Sequence, residues 1–99
     1  MRADGGAWGR LVETAVGAHL VRAGLHVSWW RDGNREVDYV VRKGERVTAI
    51  EVKSGAARTA LPGMAAFADR FGVDRRLLVG SDGIALDELL ASPAERFLA

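Results

Sequence analysis

The sequence predicts an α/β fold in the order αβββαβ, a mixed sheet of four to five strands flanked by helices. Three observations carry this. An apolar stripe of helical period opens the chain. Two turn sequences, Asp32-Gly33-Asn34 and Lys43-Gly44-Glu45, then separate three consecutive runs of period two. A second helical stripe follows, ahead of the continuous apolar run Leu77-Leu78-Val79, which reads as a strand covered on both faces.

From residue 6 to about 23, Trp8, Leu11, Val12, Ala15, Val16 and Leu20 recur at helical spacing, and Gly24 supplies the stop. Glu13 lies at the border of that stripe, with Gly9 and Gly17 one turn before and after it. An interior glycine costs a helix roughly 1 kcal/mol relative to alanine, so a packing or functional reason is expected. Residues 25–31 alternate Leu25, Val27 and Trp29 against His26, Ser28 and Trp30, and residues 36–42 form the second strand of an antiparallel hairpin. Residues 46–53 complete a meander. A small-residue loop covers 54–61, Pro62 suits a first helical position, and Met64, Phe67 and Phe71 continue a helix to Gly72. After the strand at 75–80, Ser81-Asp82-Gly83 turns the chain and 84–86 reads as a short edge strand. Asp87 then caps a helix through Leu90, and Ser92-Pro93 opens a terminal helical turn.

Ninety-nine residues hold one hydrophobic core, so 1–99 are expected to form a single domain. The hydrophobic fraction of 48% and charged fraction of 27% are those of an ordinary globular protein. No apolar run approaches the ~20 residues of a membrane span, which excludes a membrane-embedded chain. The start lacks the apolar core of a secretory signal and there is no cysteine, so neither a disulfide framework nor a thiolate metal site exists and a cytoplasmic location is expected. A net charge of +1 excludes nucleic-acid binding by bulk electrostatics; any such role must use local patches.

The residues that suggest chemistry lie on the second and third strands. Glu51 and Lys53 alternate with Ile50 and Val52, so both charges leave one face near the strand's end. A carboxylate and an ammonium side by side suit a metal ion and a water, although any wet sheet face can carry the same pair. Asp38 sits within Val37-Asp38-Tyr39-Val40-Val41, where aspartate is depleted because it fits a half-buried pleat poorly. A buried carboxylate is paired or binds a metal, and a salt bridge to a neighbouring arginine is the structural alternative. Strict alternation puts Val37, Tyr39 and Val41 on one face and Glu36, Asp38 and Val40 on the other. Asp38 and Glu51, on neighbouring strands, are then expected on a common face, meeting at one metal-binding point. His19 and His26 have no partner at metal-ligand spacing and read as structural or surface residues. Trp29 and Trp30 offer bases a stacking surface, but core packing of one and a partner interface for the other is the favoured reading.

The ordered set Glu13, Asp38, Glu51 and Lys53, on a helix and the second and third strands, resembles the PD-(D/E)xK nuclease superfamily. Val37 replaces the motif's proline, which leaves the ligand chemistry untouched. Trp8-Gly-Arg-Leu-Val-Glu13, Trp30-Arg31 with Arg35-Glu-Val-Asp-Tyr-Val40, Ala49-Ile-Glu-Val-Lys-Ser-Gly55, and Leu78-Val-Gly with Ser81-Asp-Gly-Ile84 look like the C-terminal nuclease-like domain of a prokaryotic AAA-type ATPase family. Those proteins carry a nucleotide-binding domain first, and this chain has no Gly-x-x-x-x-Gly-Lys-Ser/Thr loop.

The resemblance implies a restriction-endonuclease-like core and a Mg²⁺- or Mn²⁺-dependent deoxyribonuclease. Asp38 and Glu51 supply hard oxygen ligands, the backbone carbonyl of Val52 adds a third, and Glu13 completes the shell or holds a second ion. Lys53 orients the attacking water and stabilises developing charge. The implied partners are DNA, an AAA-type ATPase domain or subunit, and a second copy in a homodimer. A non-catalytic module that binds nucleic acid or docks an ATPase is the alternative.

Overall fold

The computed structural model of the chain describes residues 6–33, 35–53, 62–80 and 83–99. The expected loop at 54–61, and Asn34, Ser81 and Asp82 of the turns, lie outside them. Helix α1 (Gly6–Arg22) leads into β1 (His26–Asp32), β2 (Arg35–Lys43) and β3 (Arg46–Lys53). Helix α2 (Pro62–Phe71), β4 (Arg75–Gly80), α3 (Leu86–Ala91) and a 3₁₀ turn (Ala94–Phe97) complete the order. Among the described residues the sheet has four strands in the order β1-β2-β3-β4, antiparallel except for the parallel β3–β4 pair. Tight turns make the antiparallel pairs, with Gly33 and Gly44 at φ of +65° and +63°, whereas a helix between β3 and β4 returns the chain in the same direction. No helix among the described residues is long and apolar enough to cross a membrane.

The two sheet faces bury separate cores. On one, Val12, Val16 and Leu20 of α1 pack on Val41, Ile50, Val52, Leu77 and Val79, and Leu89, Phe97 and Leu98 close the end. On the other, Met64 and Phe67 of α2 pack on Val37, Val40 and Ala49. Trp30 joins that second core edge to face, with ring centroids 5.4 Å from Phe67 and 6.1 Å from Phe71. His19 is structural: its Nε2 lies 2.8 Å from the Ser92 carbonyl and ties α1 to the C-terminal segment.

Strict alternation fails at one place. Ser28 pairs with Val40 but Trp30 pairs with Val37, so Trp29 on β1 stands opposite two residues of β2, Asp38 and Tyr39. This is a β-bulge. The extra residue inverts the parity of what precedes it, and Val37, expected beside Tyr39 and Val41, packs with Val40 on the α2 side. The C-terminal part also differs from expectation. Residues 84–86 make a single parallel bridge, Val79 to Ile84, rather than a fifth strand. The Ile84 carbonyl accepts from Gly80 N at 2.8 Å and the Ile84 N–H donates to the Leu78 carbonyl at 2.9 Å, which ties Ile84 to the end of β4. Leu86 is already helical, the N-cap is Ala85, and Asp87 lies in the first turn, where its charge complements the helix dipole.

Candidate metal centre

The bulge sets the position of Asp38. The β2–β3 ladder ends at the pair Tyr39–Ile50. An unbroken ladder would offer the next inward N–H of β3, that of Val52, an acceptor on Val37. Instead the Asp38 side chain takes that place, its Oδ2 accepting from Val52 N at 2.8 Å. The carboxylate therefore lies in the plane between β2 and β3. Because N–H and C=O of one strand residue point to the same neighbour, the Val52 carbonyl also faces Asp38's strand.

Glu51 adjoins this bond in the chain. It is 9% exposed, and its Oε1 is shut off from solvent. Ile50 and Val52 belong to the α1-side core and Ala49 to the α2-side core, so alternation carries Glu51 and Lys53 to the α2 side. Lys53 is half-buried, paired in register with Gly80.

Glu13 approaches from the other helix. It shares with Asp38 a cleft of about 420 Å³, lined also by Arg10, Trp29, Arg31, Glu36 and Val37. The structure thus brings Asp38 to β3 through Val52 and to α1 through Glu13, while Glu51 leaves the sheet on the opposite side from α1. Among the described residues no three His, Cys, Asp or Glu side chains gather closely enough to hold an ion. Asp38, Glu51 and Glu13 are accordingly not assembled into a three-carboxylate cage. The smaller oxygen set still suits a hard cation, because Mg²⁺ takes one or two carboxylates and keeps several waters. Asp38 and the Val52 carbonyl could supply such oxygens between β2 and β3, with Glu51 next to Val52 in the chain.

Two local contacts hold α1 against the bulge. The Tyr39 hydroxyl donates to the Glu13 carbonyl at 2.7 Å, and a methyl group at Gly17 would collide with that same hydroxyl. The glycine is thus explained by Tyr39, one turn beyond Glu13. Burial, reinforced by the nearby charges of Glu13 and Asp38, raises the Tyr39 hydroxyl above its ordinary value of about 10. A raised acid keeps its proton longer in the folded state. The resulting stability is complete below pH ~10 and is lost as pH rises through the folded value. Tyr39→Phe is expected to cost about 1 kcal/mol at neutral pH by removing the hydrogen bond and to flatten the alkaline loss. Urea unfolding at stepped alkaline pH checks both, and phenolate absorbance reports this group alone because Tyr39 is the only tyrosine. An unchanged alkaline slope in the phenylalanine variant would refute the assignment.

Glu36 titrates in the opposite sense. Burial alone would raise it, the hydrogen bond and charge of Arg31, 3.0 Å away, act the other way, and the net result lies below its ordinary value. Sequence patterning assigns Arg10, Arg31 and Glu36 no role at this cleft. Their signal is the alternation that sends Trp30 into the core and its neighbour Trp29 outward; position 29 is 68% exposed.

A family model described as "Domain of unknown function (DUF4143)" matches residues 8–90. No curated protein and no solved structure matches the chain.

Proposed function

The chain belongs to the DUF4143 family, a domain found in AAA-ATPase-associated proteins, and we propose that it is a metal-dependent nuclease-like domain hydrolysing phosphodiester bonds in DNA. The observation that carries this is the bond from Val52 N to Asp38 Oδ2, which anchors the acid of β2 on the central residue of Glu51-Val52-Lys53. The chain order Glu13, Asp38, Glu51, Lys53 and its likeness to the PD-(D/E)xK pattern support the same reading. Mg²⁺ or Mn²⁺ held by Asp38, Glu51 and the Val52 carbonyl would neutralise phosphoryl charge and supply a nucleophile from water at neutral pH. Glu51 would add the second carboxylate. Lys53 orients the water and meets the charge that develops on the phosphoryl oxygens. Glu13, across the cleft from Asp38, receives a proton or steadies the water shell.

Purified protein is expected to cleave DNA with Mg²⁺ or Mn²⁺ and to leave it intact in chelator. Lys53→Ala should lower turnover by about 10²–10³-fold while leaving metal binding in place. Single-stranded, duplex and branched DNA all surviving both ions would end the enzymatic reading.

A second reading is favoured by Glu13 and Glu51 lying on opposite sides of the sheet: a module of the same fold that docks an ATPase or binds nucleic acid without cutting it. Binding without cleavage is its signature. Phosphate contacts make affinity fall steeply with salt, whereas an apolar docking face does not.

A further inference from the structure

Four large apolar side chains are strongly exposed among the described residues: Leu11, Val21, Trp29 and Phe71. Phe71 leans on Phe67 and Trp30, and Leu11 and Val21 lie on the outer surface of α1. Of the four, only Trp29 lines the cleft that also holds Asp38 and Glu13. The bulge places it there, since Trp29 stands directly opposite Asp38 and Tyr39.

We propose that Trp29 is the stacking platform for an unpaired base of single-stranded DNA whose backbone passes Asp38, a reading that rests on the nuclease-like assignment above. The indole is held in place as well as exposed. The Arg31 guanidinium lies 5.9 Å from its ring centroid, and Arg31 is itself fixed by Glu36 at 3.0 Å, so the ring is pre-oriented by a cation–π contact. The charges of the cleft select what lies on it. Glu13, Asp38 and Glu36 accompany Arg10 and Arg31, so carboxylates outnumber guanidiniums and a phosphate is accepted only where a cation at Asp38 offsets them. A neutral base instead offers ring and amino N–H groups to carboxylates and a π face to tryptophan. The cleft, about 420 Å³, falls in the range of small-ligand clefts. A base stacked inside a duplex cannot present its face to Trp29, so the substrate must be single-stranded or unpaired at this position. Base–aromatic stacking is tolerant of sequence, and no sequence preference is expected from Trp29.

The test uses the whole chain carrying Lys53→Ala, in Mg²⁺, to measure binding without turnover. Fluorescence anisotropy is followed with a short fluorescein-labelled oligo(dA), its blunt duplex with oligo(dT), and the RNA counterpart. Adding Trp29→Ala is expected to weaken single-strand binding about five- to a hundredfold, with Trp29→Phe recovering most of it and duplex binding unchanged. The proposal fails if the alanine variant binds the single strand as its parent does, or loses duplex binding equally. It also fails if the RNA is bound more tightly than the DNA. A dimer in sedimentation that Trp29→Ala dissociates without altering DNA affinity would assign the ring to a second copy. Cleavage by wild-type protein separates the two layers. Cutting with a silent Trp29 overturns the platform and leaves the nuclease reading, whereas Trp29-dependent binding without cutting does the reverse.

Discussion

Asp38→Ala is expected to destabilise the metal-free protein by about 1–3 kcal/mol, because it strands a part-buried donor. The Val52 N–H lies at the end of a ladder where the bulge leaves Asp38 Oδ2, at 2.8 Å, as its acceptor. Asp38→Asn should cost much less, since the amide oxygen can accept in the same position. Metal separates the structural role from the chemical one. A cation that binds the folded state alone raises the melting temperature, and both variants should lose that gain in Mg²⁺ or Mn²⁺ because each removes a carboxylate. Thermal melts of the three proteins with and without ion give the answer. An asparagine variant that keeps the gain would remove Asp38 from the ligand set, and an alanine variant as stable as wild type would deny the hydrogen bond.

Much of the fold was legible because period and punctuation agreed. The bounds of β3, α2 and β4 follow directly from Arg46, Lys53, Pro62 and Gly80, where a turn, a charge pair, a proline or a glycine interrupts a clear pattern. The bulge was not legible. Nothing in Val37-Asp38-Tyr39 marks an inserted residue, and a bulge is fixed by how β1 pairs with β2, which is a tertiary fact. Its consequence for the site is large: the side chain of Asp38 enters the sheet plane, and Val37 changes face. The run 84–86 failed for another reason. Ile84 and Leu86 have strand-like alternation, but three residues without a further partner yield one bridge before the helix begins. The resemblance to a nuclease motif named the acids in order, yet motif order cannot state which side of the sheet each one leaves.

Gly80→Ala is expected to destabilise the protein by more than the backbone strain of an unfavourable φ, and to disturb the candidate site without touching it. Gly80 has a φ of +111°, a region where an ordinary residue costs about 1–3 kcal/mol. A methyl group there would also be driven onto the carbonyl oxygen of Lys53, its partner in the β3–β4 register. A main-chain oxygen cannot rotate away as a side chain can, so the strands must separate at the end that carries Glu51 and Lys53. Gly44 supplies the control. Its φ is +63°, and a methyl group there would meet nothing within 4 Å, so Gly44→Ala should show the conformational cost alone, about 1–2 kcal/mol. Urea unfolding of the two variants measures the difference. If the protein cleaves DNA, Gly80→Ala should also lower turnover by about 10²-fold through a displacement of Lys53 on the order of 1 Å, while Gly44→Ala leaves it unchanged. Equal stability costs for the two glycines would show that β3 and β4 do not meet as closely at Lys53 as the register requires.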